Sequence, residues 1–280
     1  MKTIENQIFD EERALYGSHA LCVRHCSFDG PADGESALKE CSDIVAEDCF
    51  YNLRYPFWHV RGLKISGGEM TELCRAALWY CENAELDSVK MHGIKALREC
   101  RSVALRGCDI RSPEFGWYCS DVQMEDCDAA GEYFMLQSSG LSFRNVTLNG
   151  KYSFQYLDGA VFDGCNLNTK DAFWHAHNVV VRNSVIRGEY LAWYSDSLTL
   201  ENCTVIGTQP LCYCRNLRLI DCEMIDCDLA FEKSDVEASI TTPVVSIKNV
   251  RSGTVSVPAV GEIIRDDDSA LGKIIITGEH

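Results

Sequence analysis

Aromatic residues recur at two neighbouring positions of the chain, and their types and spacing suit ligand binding. The chain contains a repeat of 19 residues, and all five tryptophans fall at the same position within it. We call this position the tryptophan column. This column contains Trp58, Trp79, Arg98, Trp117, Leu136, Gln155, Trp174, Trp193 and Cys212. The next position, the tyrosine column, contains His59, Tyr80, Glu99, Tyr118, Gln137, Tyr156, His175, Tyr194 and Tyr213, bounded by Glu40 and Glu232. Flat aromatic faces with polar rims suit pyranose rings, so the pattern predicts a carbohydrate-binding face.

The candidate ligand-binding residues come from both columns. They are Trp58, His59, Trp79, Tyr80, Arg98, Glu99, Trp117, Tyr118, Trp174, His175, Trp193 and Tyr194. The alternative is that the rings only stabilise the fold by stacking, with Arg98 in cation–π contact between Trp79 and Trp117. Strict strand alternation would send one column inward, whereas a bulge would place both partly outside.

Catalysis is the weaker possibility, with Glu99 and His59 as the acid–base candidates. A glycosidase needs two carboxylates roughly 5–9.5 Å apart. Glu40 and Glu99 lie three repeats apart, about 14 Å by strand spacing, and Glu99 and His59 lie about 10 Å apart. No phosphate loop, nucleophile elbow or zinc-protease motif occurs, so the sequence predicts no cofactor and no metal.

A repeat of 19 residues must position these side chains. Regular steps begin at Val103, Val122, Leu141, Ala160, Val179, Leu198 and Leu217, and earlier ones at Leu21, Ile44, Leu63 and Ala84. Within one step, Val103 to Asp121, three short alternating apolar stretches are separated by polar corners. This pattern predicts an all-β fold: a single-stranded right-handed parallel β-helix (solenoid) of about 11 coils, with three short parallel sheets and a cap at each end.

The corners carry residues that tolerate positive φ, as a tightly wound coil requires. The first corner holds Asp48, Gly67, Gly107, Asp126, Asn145, Gly164, Asn183, Asn202 and Asp221, and the last holds Asp43, Gly62, Asn83, Asp121, Gly140, Gly159, Asn178 and Asn216. We expect one domain over residues 1–280, with an N-terminal cap at 1–20, regular coils at 21–235, and irregular coils and a cap at 236–280.

Charge and cysteine content bear on partners and compartment. The net charge of −16 argues against nucleic acid and against an anionic membrane surface as partners. Twelve of the 16 cysteines share two repeat positions where other steps carry small or apolar residues, so they act as compact core fillers. Free thiols in such number suit a reducing compartment, and the sequence shows no secretory signal or membrane span; we therefore expect a cytoplasmic protein.

The periodicity, the L-x-L-x-x-C-x-I stretches and the stretch from Ala77 to Cys81 together resemble a known group. The chain is similar to a family of uncharacterised bacterial proteins, a domain of unknown function with a pectin-lyase-like β-helix. The resemblance covers roughly residues 5–270. It implies the fold and transfers no catalytic residue, because no motif of the pectate lyases or polygalacturonases is present.

Three functions therefore stay open. The first is a carbohydrate-binding β-helix whose aromatic face binds an oligosaccharide. The second is a non-enzymatic scaffold that binds a protein partner or forms a homo-oligomer. The third is a polysaccharide lyase or glycoside hydrolase, which would need a concave pocket with two close carboxylates.

Overall fold

The computed structural model describes residues 1–278 and divides into two compact units. Unit 1 comprises Met1–Ser142, and unit 2 begins at Phe143. Residues 1–278 form strands, turns and bends without a helix, so none of these residues belongs to a helix that could span a membrane. The predicted all-β class is confirmed.

The strands of unit 1 are mostly two or six residues long. They are β1 (Lys2–Glu5), β2 (Ile8–Phe9), β3 (His19–Arg24), β4 (Ser27–Phe28), β5 (Ser42–Glu47), β6 (Phe50–Tyr51), β7 (Phe57–Trp58), β8 (Arg61–Ser66), β9 (Glu69–Met70), β10 (Leu78–Trp79), β11 (Glu82–Asp87), β12 (Lys90–Met91), β13 (Leu97–Arg98), β14 (Arg101–Arg106), β15 (Asp109–Arg111), β16 (Ser120–Glu125) and β17 (Asp128–Glu132). Strand β18 (Ser139–Arg144) begins in unit 1 and ends in unit 2.

Unit 2 continues with the same alternation of longer and shorter strands. They are β19 (Thr147–Lys151), β20 (Asp158–Asp163), β21 (Asn166–Lys170), β22 (His177–Arg182), β23 (Val185–Arg187), β24 (Asp196–Glu201), β25 (Thr204–Ile206), β26 (Leu217–Ile225), β27 (Asp235–Ile240), β28 (Val244–Lys248), β29 (Ser252–Val257), β30 (Val260–Ile264) and β31 (Lys273–Ile276).

Equivalent residues of successive coils lie side by side in parallel register. In unit 1, Val103 of β14 pairs with Val122 of β16, and Leu86 of β11 pairs with Leu105. In unit 2, Val179 of β22 pairs with Leu198 of β24. The predicted right-handed parallel β-helix is thereby confirmed, because the 19-residue sequence period equals one coil of the structure.

The two units together contain about 14 coils, against the predicted 11 or so. One extra coil comes from the segment expected as the N-terminal cap, where β1 pairs with β3 and β2 pairs with β4. Others come from the C-terminal strands, where β27 pairs with β29 and β29 with β31. Residues 279–280 of the expected C-terminal cap lie outside the described residues, and the single-domain assignment stays a prediction.

The third stretch of each coil differs from the predicted strand. In unit 1 it forms only the two-residue strands β7, β10 and β13, and elsewhere it is a series of turns. Positive φ at every second residue explains the difference, as at Glu114 (57°), Gly116 (75°) and Tyr118 (57°). The two predicted corners are confirmed, since all of their Asp, Asn and Gly residues have positive φ.

The core is apolar and contains thiols that bond to the backbone. All 16 cysteines are buried and free. At the first cysteine position the thiol donates to carbonyl oxygens, as Cys108 does to Arg106 (3.4 Å) and Cys203 does to Glu201 (3.3 Å). The cysteines are therefore compact fillers, as predicted, and their thiols add hydrogen bonds to carbonyl groups that also accept a backbone N–H from a neighbouring coil, as those of Arg106 and Glu201 do.

Unit 2 contains an ion pair whose contribution to stability should depend on pH. Asp235 of β27 accepts hydrogen bonds from Arg251 Nε and Ser252 Oγ, both at 2.7 Å. The bond from Arg251, aided by that from Ser252, holds the pKa of Asp235 below its ordinary value. The carboxylate therefore adds stability above the unfolded-state pKa, about 3.9, and this contribution is lost as pH falls through the lower folded-state pKa.

We expect Asp235→Asn to lower the free energy of unfolding at pH 7 by at most about 1 kcal/mol, because the pair is about one-third exposed and screened by water. The difference from the wild type should shrink as pH falls below about 4. Urea unfolding of both proteins at pH 7 and in acid measures it. A loss of equal size at both pH values would contradict the ion-pair explanation.

Candidate functional site

Both aromatic columns lie on the surface, because the backbone is left-handed at the tyrosine column. Tyr80 has a φ of 58°, Glu99 of 49° and Tyr118 of 57°. A residue in this conformation reverses the usual alternation, so two consecutive side chains point outward. The flanking Leu78 and Cys81 are buried. The structure thus places both columns outside except at the buried Cys212, with the other tryptophan-column residues half-buried and most of the tyrosine column exposed.

In unit 1 the tryptophan column is a stack in which both ring faces of Trp58 and Trp79 are covered. Trp58 and Trp79 lie parallel, with ring centroids 5.0 Å apart and an angle of 2° between the planes. Lys39 Nζ lies 5.6 Å from the Trp58 ring centroid. The Arg98 guanidinium lies 5.2 Å from the Trp79 ring and 5.0 Å from the Trp117 ring. Trp58 and Trp79 are therefore each covered by a cation on one face and by the other indole on the second face, and Arg98 covers one face of Trp117.

The indole N–H groups are also engaged. Each donates to a backbone carbonyl of the following coil: Trp58 to Ala76 (2.8 Å), Trp79 to Lys95 (2.9 Å), Trp117 to Tyr133 (2.7 Å), Trp174 to Tyr190 (2.7 Å) and Trp193 to Gln209 (2.8 Å). Gln155 makes the same bond through its amide, to Asp171 at 3.2 Å. The tryptophans thus bind neighbouring coils to each other, through ring stacking and through hydrogen bonds from their N–H groups to backbone carbonyls.

In unit 2 the aromatic rings of both columns also stack, and one residue occupies a different column from the one predicted. Trp174 stacks on Trp193 at 5.4 Å, and His175 stacks between Tyr156 (5.0 Å) and Tyr194 (5.1 Å). Glu232 was placed in the tyrosine column by sequence. In other coils, the N–H of a tyrosine-column residue donates to the carbonyl of a tryptophan-column residue. The Tyr213 N–H donates to the Glu232 carbonyl, so Glu232 occupies the tryptophan column, because its coil contains one extra residue.

The Glu232 side chain has an electrostatic effect on its neighbour. Tyr213 Oη donates to Glu232 Oε2 at 3.3 Å. Burial, together with this nearby carboxylate, raises the pKa of Tyr213 to about 12. The phenol is therefore neutral throughout the physiological range, and it acts as a hydrogen-bond donor to Glu232.

A groove in unit 1 brings together several predicted site residues. Its exposed or half-exposed lining residues, which define the Tyr80 groove, are Glu40, Ser42, His59, Arg61, Tyr80, Glu82, Glu99 and Arg101. The volume is about 560 Å³. The groove exists because one buried residue, such as Val60 or Cys81, separates two outward-facing rows. One row is the tyrosine column and the other is formed by the first residues of β8, β11 and β14.

The second row was missed from the sequence, although it carries alternating charge. Arg61, Glu82 and Arg101 are register partners on adjacent strands. Arg61 and Glu82 form an ion pair at 3.6 Å, and Arg101 pairs with Asp121 at 3.7 Å. Across the groove, His59 stacks on Tyr80 with ring centroids 4.8 Å apart. The sequence signal that could have revealed this row is the alternation of charge at the positions two residues after the tyrosine column.

The other predicted residues lie outside the groove. Arg98 and the tryptophans belong to the stacks, Tyr118 lies one coil beyond Glu99, and His175 and Tyr194 lie in unit 2. The groove contains the acid–base candidates His59 and Glu99 together with the further carboxylates Glu40 and Glu82. Residues 1–278 contain no cluster of three or more potential metal ligands.

Comparison with known proteins gives a family and a set of distant folds. A family model described as "Protein of unknown function (DUF3737)" matches residues 2–276. No curated protein matches. The surface adhesin PfbA of Streptococcus pneumoniae is 9% identical, with a TM-score of 0.34, over 94% of this chain and 85% of the adhesin. The A-module of the Azotobacter vinelandii mannuronan C-5 epimerase AlgE4 is 9% identical, with a TM-score of 0.29, over 94% and 90% of the chains. The expected family resemblance is confirmed.

Proposed function

This chain belongs to the DUF3737 family of unknown function, and we propose that it is a carbohydrate-binding β-helix whose binding face is the Tyr80 groove. One observation carries the proposal: His59, Tyr80 and Glu99, from three successive coils, line one groove with Arg61, Glu82 and Arg101. Planar carboxylates, guanidinium groups and a phenol are the donors and acceptors that bind vicinal hydroxyl groups. The covered tryptophan faces favour a structural role for the other column.

The charges of the groove indicate the class of sugar. The groove is lined by the carboxylates of Glu40, Glu82 and Glu99 and by the guanidinium groups of Arg61 and Arg101, so both signs of charge are present in similar number. The whole chain carries a net charge of −16, which repels polyanions at long range. These features support a neutral oligosaccharide as the ligand. Coils repeat at about 4.8 Å, so an extended chain of sugars would meet equivalent side chains on successive coils.

A screen with neutral oligosaccharides, followed by isothermal titration calorimetry, tests the proposal. We expect Tyr80→Ala and Glu99→Gln each to weaken binding about tenfold or more, because each removes a contact at the centre of the groove. Tyr194→Ala is the matched control, since it removes an exposed tyrosine of the same column in unit 2. Binding by no oligosaccharide, or equal losses in all three variants, would reject the proposal.

Self-association is a second candidate, favoured by the C-terminal strands. The isoleucines Ile275 and Ile276 of β31 are 48% and 44% exposed, and within residues 1–278 β31 pairs only with β29. An apolar strand with an open edge is a template for pairing with another chain. Sedimentation velocity of the wild type and Ile275→Lys tests this candidate: a wild-type dimer that the variant abolishes supports it, and a monomeric wild type rejects it.

We further propose a cytoplasmic location. The free, buried state of all 16 thiols supports it, because a reducing compartment keeps thiols in this state.

A further inference from the structure

A small pocket lies on the other side of the tryptophan column of unit 1, where the indole N–H groups point. Its lining, which defines the Arg75 pocket, includes Tyr55, Trp58, Arg75, Trp79, Ile94 and Lys95. The volume is about 300 Å³. This is the lower end of the range for pockets that bind small molecules, about 300–1,000 Å³.

The walls of the pocket are aromatic and apolar. Edges of the stacked Trp58 and Trp79 rings line it, and both rings are fixed by their bonds to Ala76 and Lys95. The Tyr55 ring lies 4.9 Å from the Trp58 ring at an angle of 46°. Ile94 is 39% exposed and lines the same pocket. A flat ring would meet these edges in the edge-to-face geometry that aromatic groups prefer.

One cation at this pocket has no carboxylate partner in the described chain. Arg54 pairs with Asp33 at 3.1 Å, and Lys95 pairs with Glu114 at 3.3 Å. Arg75 is exposed and donates to Tyr55 Oη at 3.3 Å, but it forms no ion pair within residues 1–278. Glu72 lies with Arg75 along a neighbouring groove without pairing to it. In a chain of net charge −16, an unpaired guanidinium beside an aromatic pocket is complementary to an anion.

We propose that the Arg75 pocket binds a small planar organic anion, an aromatic ring bearing a carboxylate or sulfonate. The ring packs between Tyr55, Ile94 and the indole edges. The anionic group accepts hydrogen bonds from the Arg75 guanidinium and from the Tyr55 hydroxyl, whose oxygen already accepts a bond from Arg75. This site shares no residue with the Tyr80 groove, so the two proposals stand or fall separately.

Calorimetric titration with naphthalene-2-sulfonate, and with the neutral naphthalene-2-sulfonamide, tests this inference. We expect the sulfonate to bind the wild type more tightly than the sulfonamide. Arg75→Gln should weaken sulfonate binding about tenfold or more and remove the preference, because a charge-assisted bond is lost. Arg187→Gln, which removes an exposed arginine of β23 in unit 2, is the matched control and should change nothing.

A second variant keeps the test decisive. Ile94→Glu places a carboxylate at the pocket, so it should abolish sulfonate binding while the circular dichroism spectrum stays that of the wild type. Val161→Ala, a substitution of an exposed residue of β20 in unit 2, should leave sulfonate binding unchanged. The inference is overturned if the wild type binds neither probe, if it binds both equally, or if Arg75→Gln binds the sulfonate as tightly as the wild type.

Discussion

Phe162→Ala should lower the free energy of unfolding by about 3–5 kcal/mol, the range for removing a phenylalanine from a packed core. Phe162 lies on β20 and has no exposed surface. Its ring centroid lies 5.1 Å from Phe143, 4.9 Å from Phe154 and 5.3 Å from Phe173, all with edge contacts. The truncation leaves a cavity that rigid β-coils cannot close, so both burial and these ring contacts are lost.

Val161→Ala is the control, because the adjacent side chain on the same strand faces solvent and is 41% exposed. Its effect should stay within about 0.5 kcal/mol. Urea unfolding followed by circular dichroism measures both variants. Similar losses for the two would show that β20 does not bury Phe162 and expose Val161, and the assigned inward and outward faces of unit 2 would be wrong.

Cys100→Ala should destabilise the protein by about 1–3 kcal/mol, whereas Cys100→Ser should remain within about 1 kcal/mol of the wild type. Cys100 Sγ accepts the Cys81 N–H at 3.4 Å and donates to the Leu78 carbonyl at 3.3 Å. Alanine leaves both buried backbone groups without this partner. Serine keeps a donor and an acceptor, as Ser138 does when it accepts from Cys119 N–H at 3.0 Å.

The comparison of these two substitutions separates two roles of the cysteine ladder. If the thiols only fill space, alanine and serine should cost similar amounts, because each is smaller than cysteine. If they also pair with the backbone, serine should be clearly the more stable variant. Chemical unfolding under reducing conditions gives the two values, and an alanine variant as stable as the serine variant would exclude the hydrogen-bonding role.

The fold could be predicted because its determinants are local and repeated. Gly107, Asn183 and Asp221 are residues that tolerate positive φ, and each has it. Residues 1–20 were expected to form a cap because the ends of a β-helix need covering and the regular steps begin at Leu21, yet Lys2–Glu5 pairs in the same register. The backbone hydrogen bonds of β1 to β3 thus continue the ladder into a segment where the 19-residue sequence pattern is no longer recognisable.

The site was less predictable because it depends on an unusual backbone conformation. Tyr80 and Tyr118 occupy the left-handed region that bulky side chains disfavour, and the hydrogen bonds of Tyr80 and Tyr118 N–H to the next coil fix them there. No residue preference reveals this conformation. The groove also needs Arg61 and Arg101, which lie two residues after His59 and Glu99 and come beside Tyr80 because neighbouring coils stack in register.

We assign ligand binding to the tyrosine column and stabilisation of the fold to the tryptophan column. A comparison of Tyr80→Ala with Trp79→Phe tests this assignment. Each protein is titrated with the strongest-binding neutral oligosaccharide, and its melting temperature is recorded. We expect Tyr80→Ala to lose binding with little change in melting temperature. Trp79→Phe should keep its affinity and melt about 2–4 °C lower, because it loses the bond to the Lys95 carbonyl, worth about 1 kcal/mol. Loss of binding in Trp79→Phe with full binding in Tyr80→Ala would contradict the assignment.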